Sequence, residues 1–216
     1  MTLKVDSVCK QPFSGGRAQI LHGQGAGEFA QAEAAIWLWR HPRAQGADGR
    51  CIGQTDLAVD ARKAKRVARR LQAAARRHHL PRVVFTSDLA RSRAVGRWLA
   101  RWGWVHHVRA DLREADFGRW DGLLWAELPR AEVDAWAQDL AHTQPGGGES
   151  VAQLLVRVAA ALQALPANAL VVSHGGWMCA AQWRHTQAWQ ADAGPWPDAR
   201  SWPRTPRNGE CWVLQP

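Results

Sequence analysis

The chain has 216 residues, 46% hydrophobic and 22% charged, with 28 Lys and Arg against 19 Asp and Glu for a net charge of +9. That length and balance suit one globular domain, or one domain with an appendage. No apolar run approaches a membrane span, no basic start leads into an apolar stretch, and Cys9, Cys51, Cys179 and Cys211 form no Cys-x-x-Cys pair, which argues against a membrane protein, a secretory signal, a zinc site and a disulfide framework and leaves a reducing cytoplasm as the simplest compartment.

Residues 1–34 are rich in Gly and Gln and show no sustained period. They read as an N-terminal extension, poorly ordered, ahead of a folded domain over 35–216. Ala35–Arg40 then reads as a buried strand that ends in Trp39-Arg40-His41, and Gly46–Gly53 as a loop. Asp60–Arg77 is predicted as a helix: Asp60 suits the N-cap, and Ala64, Val67, Ala68, Leu71 and Ala75 recur at helical spacing. Its other face carries Arg62, Lys63, Arg66, Arg69, Arg70, Arg76 and Arg77. A solvated face explains these charges better than a nucleic-acid surface, because no aromatic residues interleave with them to stack on bases.

Arg82–Thr86 is a second strand, and Ser87-Asp88 opens a helix over Leu89–Trp102. Val105–Val108 is a short strand, Leu112–Asp121 is irregular, Ala131–Leu140 is a short helix and Pro145–Gly148 a loop. Ser150–Leu165 is a helix with Leu154, Leu155, Val158 and Leu162 on one face. Ala169–Val172 is another buried strand, Gly176–Trp183 begins the next helix, and the Pro-rich segment Pro195–Pro206 leads to a last strand at Cys211–Leu214. Of the 14 tryptophans, Trp98 and Trp102 read as core, and Trp196 and Trp202 as partly exposed. The alternation predicts an α/β fold, a three-layer sandwich with a largely parallel sheet flanked by helices on both faces.

His41 and His174 both fall just after buried strands, where the crevice of such a sheet forms. Two glycines follow His174, letting backbone approach an anion at a helix start. Arg91 lies one turn into a helix that follows a strand, and its planar guanidinium could pair with two phosphate oxygens. Glu114 and Asp116 are carboxylates in an irregular segment, either of them a candidate acid or a salt-bridge partner of Arg113. A nucleophile, cations and an acid are the parts that phosphomonoester cleavage needs.

These segments resemble, in order, those of the histidine phosphatase superfamily, the phosphoglycerate-mutase-like fold. Arg40-His41 resembles its arginine-histidine signature, Gly53–Leu57 its Gly-x-x-Asp segment and Thr86–Arg91 its Ser-Asp-Leu-x-Arg segment. Leu112–Gly122 resembles its Leu-x-Glu region, Pro145–Ser150 its Pro-Gly-Gly-Glu-Ser turn and Val171–Gly176 its Ser-His-Gly-Gly. The resemblance implies His41 as the phosphorylated nucleophile, Glu114 as general acid and His174 as completing the phosphate pocket. It implies Arg40 and Arg91 as phosphate-binding, joined by Gly175 and Gln54 on the substrate, with Asp116 and Glu149 in structural positions. It requires no metal or other cofactor. Pro42 departs from the glycine usual after the histidine, and the asparagine a few residues on is missing. The loop around Gly49–Asp56 is similar to that of alpha-ribazole phosphatases, and no long insertion of the mutase kind is present. The expected partner is therefore a small phosphorylated metabolite, neither a specific nucleic acid nor a membrane. A broad-specificity sugar or nucleotide phosphatase, a mutase, and a non-catalytic phosphate- or nucleic-acid-binding relative are the competing readings.

Overall fold

The computed structural model describes residues 35–187 and 194–215; the extension expected at 1–34 lies outside them. The strands are β1 (Ile36–Arg40), β2 (Val83–Thr86), β3 (Val105–Val108), β4 (Leu170–Ser173) and β5 (Cys211–Leu214). The helices are α1 (Ala61–Arg77), α2 (Ala90–Arg101), α3 (Arg130–Gln138), α4 (Val151–Gln163) and α5 (Gly175–Thr186), and short 3-10 turns fill the irregular segment between β3 and α4.

The sheet runs β3-β2-β4-β1-β5. The first four strands are parallel, and β5 lies antiparallel beside β1. Successive side chains leave a strand on opposite faces, and here both faces are apolar, as expected of a covered parallel sheet. Trp39, Val84, Leu170 and Val172 pack on one side with α1 and α2 residues Val67, Leu71, Val95 and Leu99. Leu38, Phe85 and Val171 pack on the other with Leu154, Leu155 and Val158 of α4 and Trp177 and Met178 of α5. The three layers are those expected from the sequence.

Local chemistry sets two of the helix starts. The Asp60 carboxylate accepts the Arg62 and Lys63 N–H groups and starts α1. Ser150 and Gln153 cap each other reciprocally and start α4. Trp98 and Trp102 are half-buried against the α1/α2 layer, and Trp196 is exposed. The antiparallel direction of β5 carries no local signal, because a strand reads the same whichever way it runs. Among the described residues no helix is long and apolar enough to cross a membrane.

Candidate functional site

β1 and β4 are neighbours, so the residues that leave their C-terminal ends meet. His41 and His174 stand with ring centroids 4.9 Å apart. The His41 ring is nearly buried, and its Nδ1 lies 2.7 Å from the Pro42 carbonyl oxygen. A carbonyl only accepts, so Nδ1 carries the proton and Nε2 keeps its lone pair. Burial lowers the His41 pKa to about 3; the Arg91 and Arg40 charges push the same way, and the Pro42 carbonyl opposes them in part. The imidazole is neutral near pH 7. The bond to residue 42 uses a carbonyl, which proline retains, so this contact does not need the missing N–H.

Arg91 is 1% exposed and lies in the mouth of a turn: its Nη1 donates to Thr55 O at 2.8 Å and its Nη2 to Gly53 O. That turn is itself held by Asp121, whose carboxylate accepts the Gly53, Gln54 and Thr55 N–H groups at 2.9, 2.7 and 2.7 Å. The same bonds direct Gln54 away. Its side-chain oxygen accepts from Arg113 Nη1 at 3.2 Å, and Gln54 is not among the residues lining the cavity described below. The Gly53–Thr55 turn is the seat of Arg91 in this structure. Arg40 Nη1 donates to Pro206 O at 2.6 Å, so the segment before β5 fixes that cation.

Ser87 and Asp88, expected to open α2, are used otherwise. Asp56 reaches across to accept the Ala90 N–H at the first turn. Ser87 Oγ bonds His174 Nε2 at 2.7 Å, and Asp88 pairs with Arg113. His174 is wholly buried and does not line the cavity; it meets the site through the His41 ring. Burial holds its pKa well below the ordinary value, reinforced by His41 and Arg91.

Glu114 occupies the start of α5. Its Oε1 accepts the Ala115 and Trp177 N–H groups and its Oε2 the Gly176 N–H, each at 3.1 Å. The helix start expected to receive an anion thus already holds a carboxylate, leaving Gly175 as the amide of the first turn not committed to it. The two glycines have separate reasons. A Cβ on Gly176 would stand 2.6 Å from Glu114 Oε1, and one on Gly175 would stand 2.8 Å from Thr205 Cγ2 and 3.4 Å from Arg40 Cζ.

The segment bearing Glu114 is clamped from behind by Arg157 on α4. Its Nε and Nη2 grip the Glu149 carboxylate at 2.8 and 2.7 Å, and its Nη1 donates to the carbonyls of Asp111 and Arg113 at 2.9 and 3.0 Å. Nη2 also reaches Glu114 O at 3.3 Å. Glu149 and Asp116 are bracing groups; Asp116 Oδ1 accepts the Gly118 N–H. A lysine has the charge but not the planar fork. If Glu114 is the acid that the resemblance implies, Arg157→Lys is expected to lower kcat about 10- to 100-fold with KM nearly unchanged, because the segment that carries it loses its clamp. Steady-state kinetics beside a thermal melt checks this; loss confined to the melt would leave only a structural role.

Arg40, His41, Arg91, Glu114 and Gly175 line one end of a cavity of about 500 Å³. Thr205 and Asn208 enter it from the segment before β5, and Asn208 Nδ2 donates to His41 O at 3.1 Å. Asp121, Arg157 and Asn208 were not singled out from sequence, and Ser87 was read as a helix start and not as a partner of His174. Of the first three, Arg157 left a trace there, as a charge beside the apolar Leu154–Val158–Ala161 stripe. Among the described residues no group of His, Cys, Asp and Glu side chains is placed to hold a metal ion.

The family model of the histidine phosphatase superfamily (branch 1) matches residues 36–207. Among solved structures, TTHB049 from Thermus thermophilus is similar at 29% identity and a TM-score of 0.61, over 83% of this chain and 92% of that one. A phosphoglycerate mutase from Thermus thermophilus is similar at 29% identity and a TM-score of 0.59, over 83% and 91%. A mycobacterial glucosyl-3-phosphoglycerate phosphatase in complex with VO3 is similar at 25% identity and a TM-score of 0.65, over 83% and 92%. No curated protein matches the chain.

Proposed function

This chain belongs to the histidine phosphatase superfamily, whose chemistry is of the phosphatase or mutase type, and on that premise we propose that it is a metal-independent phosphomonoesterase acting through a phosphohistidine at His41. The observation that carries the reading is the fixed tautomer of His41 at the arginine-lined end of the cavity.

His41 Nε2 attacks phosphorus as the bond to the leaving alcohol oxygen breaks, and Glu114 protonates that oxygen. Water then attacks the phosphohistidine, gives its proton to Glu114 and releases inorganic phosphate with His41 restored. Arg40 and Arg91 offset the charge of the equatorial oxygens, and the Gly175 N–H adds a donor. With the Ser87 hydroxyl donating to Nε2, His174 carries its proton on Nδ1. That Nδ1 and Arg40 Nε are buried without a partner among the described residues, and Arg40, which lines the cavity, would find its acceptor in a phosphate oxygen.

Hydrolysis is favoured over phosphoryl transfer between positions of one substrate because the sequence carries no long insertion of the mutase kind. Alpha-ribazole phosphate is the first substrate to test, from the likeness of the Gly49–Asp56 loop. The reading is checked on a panel of phosphomonoesters that includes it, with and without chelator and with and without bisphosphoglycerate. Phosphate release indifferent to both additions is expected. Activity abolished by chelator would sink the metal-free mechanism, and activity dependent on bisphosphoglycerate would make the protein a mutase. Salt-sensitive oligonucleotide binding without phosphate release would favour the polyanion-binding reading.

A further inference from the structure

The phosphate chemistry uses the charged lining of the cavity. Its apolar lining includes Ile52, Phe117, Trp125, Trp136, Leu140 and Leu154. The Trp125 and Trp136 rings lie nearly parallel, 16° apart with centroids at 6.4 Å. Phe117 stands edge-on to both, at 6.3 Å from each. Trp120 braces Trp136 edge-on at 5.9 Å, and its indole N–H is held by Glu132 Oε2 at 2.9 Å. The backbone N–H of Trp125 donates to Gly49 O at 2.9 Å, which ties this wall to the loop across the mouth. The aromatic groups are therefore set in place before any substrate arrives. Trp125, 41% exposed, is the member still open to a ligand.

Resting on the phosphomonoesterase reading, we propose that the alcohol half of the substrate carries a planar heteroaromatic ring, received by Trp125 and Trp136, and that Trp125 selects for it. Indole faces stack on any flat π-system, and a rigid aromatic platform does so at little entropic cost. The alternatives fit less well. A sugar alcohol would press its hydroxyls against Ile52, Leu140 and Leu154, which offer no hydrogen bond, and burying unpaired hydroxyls is unfavourable. A second anionic group would need a free cation. At the mouth, Arg43 is paired with Asp48, and Arg50, whose Nη1 donates to Gly122 O at 2.8 Å, is exposed, where solvent and salt screen its charge. Glu149, which also lines the cavity, is already held in the Arg157 fork and does not call for a cationic ligand.

The test compares esters that differ in the ring. The 5′-phosphates of alpha-ribazole, adenosine and uridine are measured against ribose 5-phosphate and glucose 6-phosphate, in wild type, Trp125→Ala and Trp125→Phe. At least one ring-bearing ester is expected to exceed both ring-free ones in kcat/KM. Trp125→Ala should cut that value about 5- to 100-fold, the effect of losing one stacking partner, and lower the ring-free esters far less. Trp125→Phe, which keeps a ring, should retain most of it. The matching nucleoside, which has no phosphate to lose, should bind wild type and bind Trp125→Ala more weakly by a similar factor. Ring-free esters turned over as well as ring-bearing ones, or equal losses on both classes in Trp125→Ala, would overturn the inference and leave the phosphatase reading standing. Trp125-dependent nucleoside binding in a protein that hydrolyses none of the esters would uphold the ring and remove the phosphatase.

Discussion

His41→Ala is expected to lower kcat by about four to six orders of magnitude on every phosphomonoester, because the proposed phosphohistidine forms on its ring. Alkaline quenching should trap a phosphoryl adduct on wild type and none on the variant. Retained turnover in His41→Ala would end the mechanism. The pH behaviour follows from the same residue. With its pKa at about 3, His41 stays neutral through the whole range from pH 5 to 8, so no acid limb of kcat/KM near 6.5 should belong to it. Stability responds in the opposite sense to a paired histidine. Between about 3 and the ordinary value of 6.5 the unfolded chain takes up a proton that folded His41 refuses. Stability is thus full above 6.5 and falls as the pH drops towards 3. His174, shifted in the same direction, adds to the loss. Melts at pH 7.5 and 5 should show a larger fall in Tm for wild type than for His41→Ala, and equal falls would contradict the buried neutral state.

Glu114→Gln is the second large effect. A carboxylate has about four lone-pair positions, and here Oε1 accepts two N–H groups and Oε2 one. The position left over is on Oε2, which is where the proton for the leaving oxygen must ride. An amide at 114 cannot supply that proton, and one of its ends turns an NH₂ towards backbone donors. Turnover of alkyl phosphates should fall roughly 100- to 10,000-fold, and turnover of nitrophenyl phosphate, whose leaving group needs no acid, far less. The aryl ester is the internal control for the disturbed start of α5. Equal losses on both esters would assign Glu114 to holding that helix and leave the acid unidentified.

The sequence was legible where local chemistry and function ask for the same thing. Asp60 caps the helix it was expected to cap, Ser150 stands at the start of the helix expected to begin with it, and the apolar runs at β1, β2 and β4 became the buried centre of the sheet. It misled where a residue with a strong local preference is claimed by something distant. Ser87 and Asp88 read as a helix start, yet one is bonded to His174 and the other to Arg113, and a carboxylate 34 residues from Ala90 caps the helix instead. Gln54 sits in a recognisable segment, but the Asp121 carboxylate 67 residues away decides where it points. Arg157 was one arginine among many until its fork was seen to close on Glu149 and on the segment that carries Glu114. Spacing along a chain reports neighbours within a turn or two and is silent about partners brought together by the sheet.

The pairing of β5 with β1 has a consequence for how the protein is made. Arg40 leans on Pro206 O, the His41 carbonyl accepts from Asn208, and the Gly209 N–H donates to Arg40 O. The nucleophile is thus translated early and secured by residues translated late. A nascent chain can stack its first helices on the central strands while the arginine-histidine corner still has nothing to rest against. Closing that corner requires contacts of very high sequence separation, the kind that form slowly. The corner that holds Arg40 and His41 is therefore completed only by the last segment of the chain that joins the sheet.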